Sequence, residues 1–168
     1  MKCLFILLLF PVFCLAQKKA KIGVVFRVGF EKIDKTSAGA AGTVSILSQS
    51  KSGLAIGAGI GLTKNQLLEK VTAPVFVELS LFGKKNIVAP IGTFQAGYLV
   101  GASNNRIGYT TYESKGGPFG RMLLGFRLPL KNSDKFTLFQ VGYGFQQMSM
   151  YGKNETYGNL LGQIGLRF

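Results

Sequence analysis

The most informative absence in this sequence is histidine, since none of its 168 residues is a histidine. Histidine is the commonest metal ligand and the usual general base beside a catalytic serine, so a Ser-His active site is excluded. The only cysteines, Cys3 and Cys14, lie close to the N-terminus. If that segment is removed, no disulfide, thiol nucleophile or cysteine-based metal site remains. We therefore expect no cofactor and no catalysis.

Charged residues are also scarce, at 16% of the sequence, against about 25% in an ordinary soluble domain. Hydrophobic residues make up 47%, which excludes an intrinsically disordered chain. Beyond the N-terminus, however, no stretch is apolar over the roughly 20 residues that a transmembrane helix needs. Apolar residues spread over many short segments are typical of a membrane β-barrel, whose lipid-facing residues occupy alternate positions.

The N-terminus has the features of an export signal. Lys2 precedes an apolar run, and small residues around Ala16 suit signal peptidase. The pattern predicts a cleaved signal peptide over residues 1–16 and a single barrel domain over residues 17–168. Lipidation at Cys14 is the alternative, but the three residues before it do not resemble a lipobox.

From Lys21 onward, apolar residues alternate with small or polar ones in short segments separated by turns. The clearest segment begins at Leu54, where aliphatic residues alternate with Ala55 and three glycines. A period of two predicts a strand with one apolar face. The segments cover approximately residues 21–30, 42–48, 54–62, 75–82, 91–100, 121–128 and 138–145, and the last one ends at Phe168.

The connections between these segments alternate in length. Those after the second, fourth and sixth segments are short, whereas those after the first, third and fifth are longer. The polar stretch 102–117 is predicted to be the longest loop. Short turns on one side and long loops on the other are typical of outer-membrane barrels. The predicted fold is an all-β, closed, antiparallel up-and-down transmembrane barrel of about eight strands.

The less apolar face of the segments distinguishes a membrane barrel from a soluble one. That face is mostly Gly, Ser, Thr and Gln, whereas a soluble surface is roughly 25–35% charged. We therefore expect it to line a narrow lumen. The alternative is a secreted soluble barrel that binds a hydrophobic ligand, which requires the apolar face to point inward. The charged residues within the predicted strand interiors are Arg27, Glu78, Arg121, Arg127 and Arg167.

Glu78 is the only acidic residue predicted to lie inside the barrel. We expect it to pair with at least one of the four arginines, because an unpaired charge is costly in a confined interior. The favoured interpretation is a structural network that plugs the lumen, rather than a gate or an anion-binding site. A narrow, anion-favouring pore is an alternative function.

The excess of basic residues, which gives a net charge of +13, indicates an anionic partner. Lysines cluster in the predicted short turns, where they would contact outer-membrane lipid headgroups. No nucleic-acid partner is expected, since the basic residues are not interleaved with stacking aromatics. In the long loop, the candidates for contact with an unidentified extracellular ligand are Arg106, Tyr109, Tyr112 and Lys115. The alternative is a solvated loop that faces outward and binds nothing.

The sequence resembles small outer-membrane barrel proteins of Gram-negative bacteria. The resemblance lies in the Cys-Leu-Ala-Gln ending of the signal segment, the alternating strands and the terminal Gln-Ile-Gly-Leu-Arg-Phe. The Leu-Ala-Gln ending is similar to exported proteins of the Bacteroidota. The resemblance implies that Ile164, Leu166 and Phe168 form the signal read by the barrel-assembly machinery. It implies the fold and the location, but no activity. A second alternative function is an outer-membrane lipid-modifying enzyme, but we favour a structural or loop-mediated surface-binding role without catalysis.

Overall fold

The computed structural model describes residues 20–32, 38–65, 70–83, 88–107, 110–130, 135–150 and 153–168. The predicted signal peptide, residues 1–16, lies outside these ranges. So do Tyr109 and the lysines of the turns 84–87 and 131–134. Within the described ranges, no helix is long and apolar enough to cross a membrane.

The described residues form nine antiparallel strand segments. They are β1 Lys21–Lys32, β2 Ala38–Gln49, β3 Leu54–Asn65, β4 Lys70–Phe82, β5 Ala89–Val100, β6 Ala102–Ile107, β7 Thr110–Pro129, β8 Phe136–Met150 and β9 Lys153–Arg167. Neighbours in the sheet follow the order β5-β4-β3-β2-β1-β9-β8-β7-β6, and an additional pairing of β5 with β7 closes the ring. The predicted closed, eight-stranded antiparallel barrel is therefore confirmed.

The ninth segment, β6, lies beyond the ring. It follows β5 after Gly101, which has a positive φ of 150°. Among the described residues, it pairs only with the start of β7, from Ala102 opposite Lys115 to Ile107 opposite Thr110. The prediction of an irregular loop over 102–117 is therefore wrong. This stretch shows no alternation of apolar and polar residues, so its sequence carries no period-two signal of a strand.

The strands extend further than the predicted segments, and this also corrects the pattern of connection lengths. β1 and β2 are separated by residues 33–37, and β8 and β9 by residues 151–152. The polar residues attributed to longer connections instead belong to strand ends. On the opposite rim, the turn after β2 contains Gly53 at a φ of 92°. Glycine adopts this positive-φ conformation without steric strain because it has no Cβ.

The outside of the barrel is an apolar band. Along β1, Ile22, Phe26 and Val28 are exposed, while the residues between them are buried or half-buried. The exposed charged residues of β1 are Lys21 and Lys32, at its two ends. Soluble monomers rarely expose a contiguous apolar patch above a few hundred Å². The apolar face thus points outward, opposite to what a soluble ligand-binding barrel requires.

Candidate functional site

One wall of the barrel interior carries glycines in place of side chains. On β3, Gly57, Gly59 and Gly61 point inward. A Cβ built on Gly59 would lie 2.5 Å from a ring carbon of Phe76, and one on Gly57 would meet the carbonyl oxygen of Ile46. This space is filled by large side chains from other strands, which reach across the lumen.

A central network is built around Glu78, on β4. Arg27, on β1, donates Nη1 to Glu78 Oε2 at 3.0 Å and Nη2 to Glu78 Oε1. Ser80 Oγ donates to Oε1 at 2.8 Å, and Gln95 Nε2 donates to Oε2 at 3.1 Å. Arg27 Nη1 also donates to Ser45 Oγ at 2.9 Å. Four donated hydrogen bonds and a buried cation compensate the desolvation of this carboxylate.

The central network continues around the wall through neutral groups. The hydroxyl groups of Ser80 and Thr93 are 2.9 Å apart. Gln140 Nε2 donates to Thr93 Oγ1 at 2.8 Å, and Gln163 Nε2 donates to Gln140 Oε1 at 2.9 Å. Strands β1, β2, β4, β5, β8 and β9 are thus joined by side chains at one level of the lumen.

A second network surrounds Glu31. It lies at the end of β1 that is away from the connections 50–53, 83–88 and 130–135. We call the end of the barrel with those three connections the short-turn end, after the sequence prediction. Arg121 Nη2 donates to Glu31 Oε2 at 2.9 Å, and Asn159 Nδ2 donates to Glu31 Oε1. The guanidinium carbon of Arg121 lies 4.7 Å from the centre of the Phe119 ring. Glu31 is fully buried, so the prediction that Glu78 is the only acidic residue inside is wrong. Extending the period-two pattern of Arg27 by four residues would have identified Glu31.

A third cluster occupies the short-turn end and differs from the other two in chemistry. The Arg167 guanidinium lies 4.8 Å from the ring centre of Phe82 and 5.5 Å from that of Phe136. Arg127 lies 5.2 Å from the same Phe136 ring. Arg167 Nη1 donates to Gln49 Oε1. We call this group of two arginines, two phenylalanines and Gln49 the cationic-aromatic cluster.

Apolar side chains fill the lumen on both sides of the central network. The layer toward the short turns is formed by Val25, Leu47, Ala55, Phe82, Ile91, Phe136 and Leu138. The layer at the other end is formed by Phe76, Leu99, Phe119 and Met148, with Tyr157 packed against it. Phe76 and Phe119 meet edge to face, with ring centres 6.3 Å apart. A continuous water path would have to cross both layers.

All five predicted lumen charges lie inside the barrel and are at least nine-tenths buried. They do not form one network, however. Arg27 and Glu78 meet in the central network, and Arg121 binds Glu31 instead. Arg127 and Arg167 lie in the cationic-aromatic cluster. The arginine positions could be predicted from alternation along each strand, but their partners could not, because partners depend on the stagger between strands.

The predicted loop residues fall in the hairpin formed by β6 and β7. Arg106 lies in β6, Tyr112 in β7, and Lys115 is exposed on β7. Tyr109 lies outside the described residues. A ligand-binding role for these residues stays a prediction.

The predicted assembly-signal residues are on the outer face at the end of the chain. Ile164, Leu166 and Phe168 are all exposed. Phe168 exchanges two backbone hydrogen bonds with Val24, at 2.9 and 3.1 Å. Its ring meets Phe26 edge to face, with centres 6.0 Å apart. The C-terminal residue is thus fixed against β1, where the barrel closes.

Metal binding finds no support in the described residues, where no group of three or more acidic, histidine or cysteine side chains could hold an ion. The sequence matches no protein-family model and no curated protein.

Two solved structures are similar in fold. One is Neisserial surface protein A, with a TM-score of 0.65 and 12% identity over 89% of this chain and 98% of that one. The other is the N-terminal β-barrel domain of Pseudomonas aeruginosa OprF, with a TM-score of 0.53 and 9% identity over 89% of this chain and 100% of that one. Both are eight-stranded outer-membrane barrels of Gram-negative bacteria. At these identities the similarity shows the fold alone.

Proposed function

We propose that this protein spans a Gram-negative outer membrane as a closed, non-catalytic barrel and presents a sheet of strand ends for binding at the cell surface. The observation that carries the proposal is the apolar band around a barrel whose polar groups point inward. In a bilayer such a band faces lipid, and ring closure satisfies the strand edges within the band.

The strand lengths support a projection on one side of the membrane. A tilted strand crosses the hydrocarbon core in about 9–11 residues, whereas β7 has 20 residues and β8 and β9 have 15 each. Along the outer face of β8, Val141, Tyr143 and Phe145 are followed by Gln147 and Ser149. The apolar band therefore ends before the strand does.

The projecting part has the strand order β9-β8-β7-β6, and we call it the projecting sheet. It comprises β6, the start of β7, the end of β8 and the start of β9. Lys115, Lys153 and Glu155 are exposed on it. Within the described residues, β6 pairs only with β7, so its other edge offers backbone groups to an extended ligand segment. The extracellular ligand itself is unidentified.

Location in the membrane is tested by expression of the full-length protein in a Gram-negative host. We expect the protein in the outer-membrane fraction, and we expect the unboiled sample to migrate differently from the boiled one on a denaturing gel. A protein soluble in the periplasm or medium without detergent would contradict the proposal.

The plugged lumen leads to a further expectation that separates this function from a pore. Planar bilayers containing the purified protein should show no steady single-channel steps, because apolar layers lie on both sides of the central network. Steady anion-selective steps would instead favour the narrow pore. Lipid analysis after overexpression tests the enzyme alternative, for which we expect no new lipid product.

Two partners belong to this proposal. Outer-membrane lipid would cover the apolar band, and lysines at the rims would contact anionic headgroups, each contributing about 1 kcal/mol. The barrel-assembly machinery would recognise the last strand through Ile164, Leu166 and Phe168. From the resemblance of the Leu-Ala-Gln ending to exported Bacteroidota proteins, we also propose that the host membrane is that of a Bacteroidota species.

A further inference from the structure

Arg127 is hydrogen-bonded differently from the arginines of the two acidic networks. It is 2% exposed, yet its Nε and Nη2 atoms have no hydrogen-bond partner. Arg27 and Arg121 each leave only Nε without a partner, since their terminal nitrogens bind Glu78 and Glu31. A buried guanidinium with two unused donors is costly unless something binds it.

The two unused donors of Arg127 lie on one edge of the guanidinium plane. The N–H bonds of Nε and Nη2 point in the same direction, which is the arrangement that binds two oxygens of a carboxylate or a phosphate at once. A lysine ammonium group in place of the guanidinium could not make this planar two-point contact. The free edge of Arg127 therefore selects for an oxyanion.

The surroundings of Arg127 favour an anion further. Arg167 shares the Phe136 ring with Arg127, and both guanidinium carbons lie within 5.5 Å of its centre. The aromatic rings of Phe82 and Phe136 pack edge to face, 5.3 Å apart, and cover the cluster. Two positive charges in a confined, weakly polarisable environment attract an anion more strongly than they would in water.

The cluster lies at one end of the barrel rather than at its centre. Gln49 and Phe82 are the last residues of β2 and β4, and Phe136 is the first residue of β8. All three lie at the short-turn end of the barrel. An anion could therefore reach the cluster through rearrangement of side chains at this end, without separation of the paired strands.

We infer that the short-turn end of the barrel holds a binding site for one phosphate-class oxyanion, with Arg127 as the two-point donor and Arg167 as the second positive charge. The oxyanion is either free phosphate or the phosphate of a lipid headgroup. This site is separate from the projecting sheet, which lies at the opposite end of the barrel.

The test uses the full-length protein folded in a phosphate-free maltoside detergent and titrated with inorganic phosphate by isothermal calorimetry. We expect saturable binding at a single site. Arg127→Gln should weaken it by about tenfold or more, the effect of losing a charge-assisted two-point contact. Arg127→Lys should also weaken it, because lysine keeps the charge but lacks the fork. Lys51→Gln removes an exposed charge from a turn at the same end and should leave the affinity unchanged.

The proposal is overturned if the wild-type protein binds no phosphate, or if both Arg127 variants bind it as tightly as the wild type does. Heat-modifiability verifies folding of each variant, and Arg127→Lys carries the test if Arg127→Gln does not fold. Repeating the titration with phosphatidylglycerol in the micelles distinguishes the sources. Loss of the phosphate signal identifies a headgroup, whereas an unchanged signal identifies free phosphate, and either result supports the oxyanion site.

Discussion

Arg27 and Glu78 form a two-point ion pair inside the barrel, although 51 residues separate them in the sequence. Both side chains are almost completely removed from solvent. The attraction between the two charges thus offsets the free energy lost when each is removed from water. If one of them is lost, the other remains buried without its partner.

Replacing Glu78 with glutamine should destabilise the barrel by about 3–5 kcal/mol, the usual cost of removing one member of a buried pair. Urea unfolding in detergent or lipid vesicles measures this change. The double variant Arg27→Met with Glu78→Gln should recover part of the loss, because it leaves no uncompensated charge. A single variant as stable as the wild type would show that water compensates Arg27 in the lumen.

Glu31→Gln should be comparably costly, about 3–5 kcal/mol, because it removes the carboxylate that binds Arg121. Glu155→Gln is the matched control. Glu155 is exposed and accepts a hydrogen bond from the Tyr157 hydroxyl, so its replacement should change stability by no more than about 0.5 kcal/mol. Equal effects of the two variants in urea unfolding would contradict the assignment of Glu31 to the interior.

Glycine on the inner wall should be more sensitive than glycine on the outer face. Gly57→Ala places a methyl group against the Ile46 carbonyl oxygen and should cost about 1–3 kcal/mol through overpacking. At Gly92, the atom nearest to an added Cβ is 3.7 Å away, so Gly92→Ala should be neutral to within about 0.5 kcal/mol. Urea unfolding compares them, and the reverse order would mean that the two faces are exchanged.

The edge of the apolar band can be located with tryptophan, because the natural sequence contains none. Val141→Trp and Gln147→Trp place the probe at two heights on the outer face of β8. In vesicles of brominated lipid, fluorescence at position 141 should be strongly quenched and blue-shifted, whereas fluorescence at position 147 should be neither. Equal quenching at both positions would contradict the proposed membrane boundary.

Phe168→Ala should slow assembly into the outer membrane of a Gram-negative host while leaving folding in detergent largely intact. Phe145→Ala is a matched control, since Phe145 and Phe168 are 52% and 53% exposed on the outer face. The measurement is the fraction of heat-modifiable protein in the membrane after a pulse of expression. If both variants assemble equally, the last residue is not the recognition signal.

The barrel could be predicted from the sequence because its faces differ so strongly. In β3, aliphatic residues alternate with glycines. A period of two of this kind arises whenever one side of a strand faces an apolar environment. The same reasoning placed Arg27 and Glu78 on the inner face. It does not extend to Glu31, because the predicted first segment ends at Phe30, one residue before that charged position.

Other features could not be predicted for physical reasons. The sequence of β6 and the start of β7 does not alternate between apolar and polar residues, so their backbone pairing leaves no periodic signal in the sequence. Which arginine meets which glutamate depends on the stagger of non-neighbouring strands around the ring. Arg121 therefore binds Glu31 across 90 residues, while Arg127 binds neither glutamate.

The inward contacts also constrain the order of events during folding. Glu31 is held by Asn159, 128 residues further along the chain, and Gln49 by Arg167, 118 residues away. Neither contact can form until β9 has docked, so every shorter intermediate contains Glu31 without one of its partners. Loop-closure entropy over such separations is compensated only in the final steps. We conclude that the interior contacts stabilise the closed ring more than they stabilise a partly formed sheet. Closure of the barrel is therefore a late and cooperative step of folding.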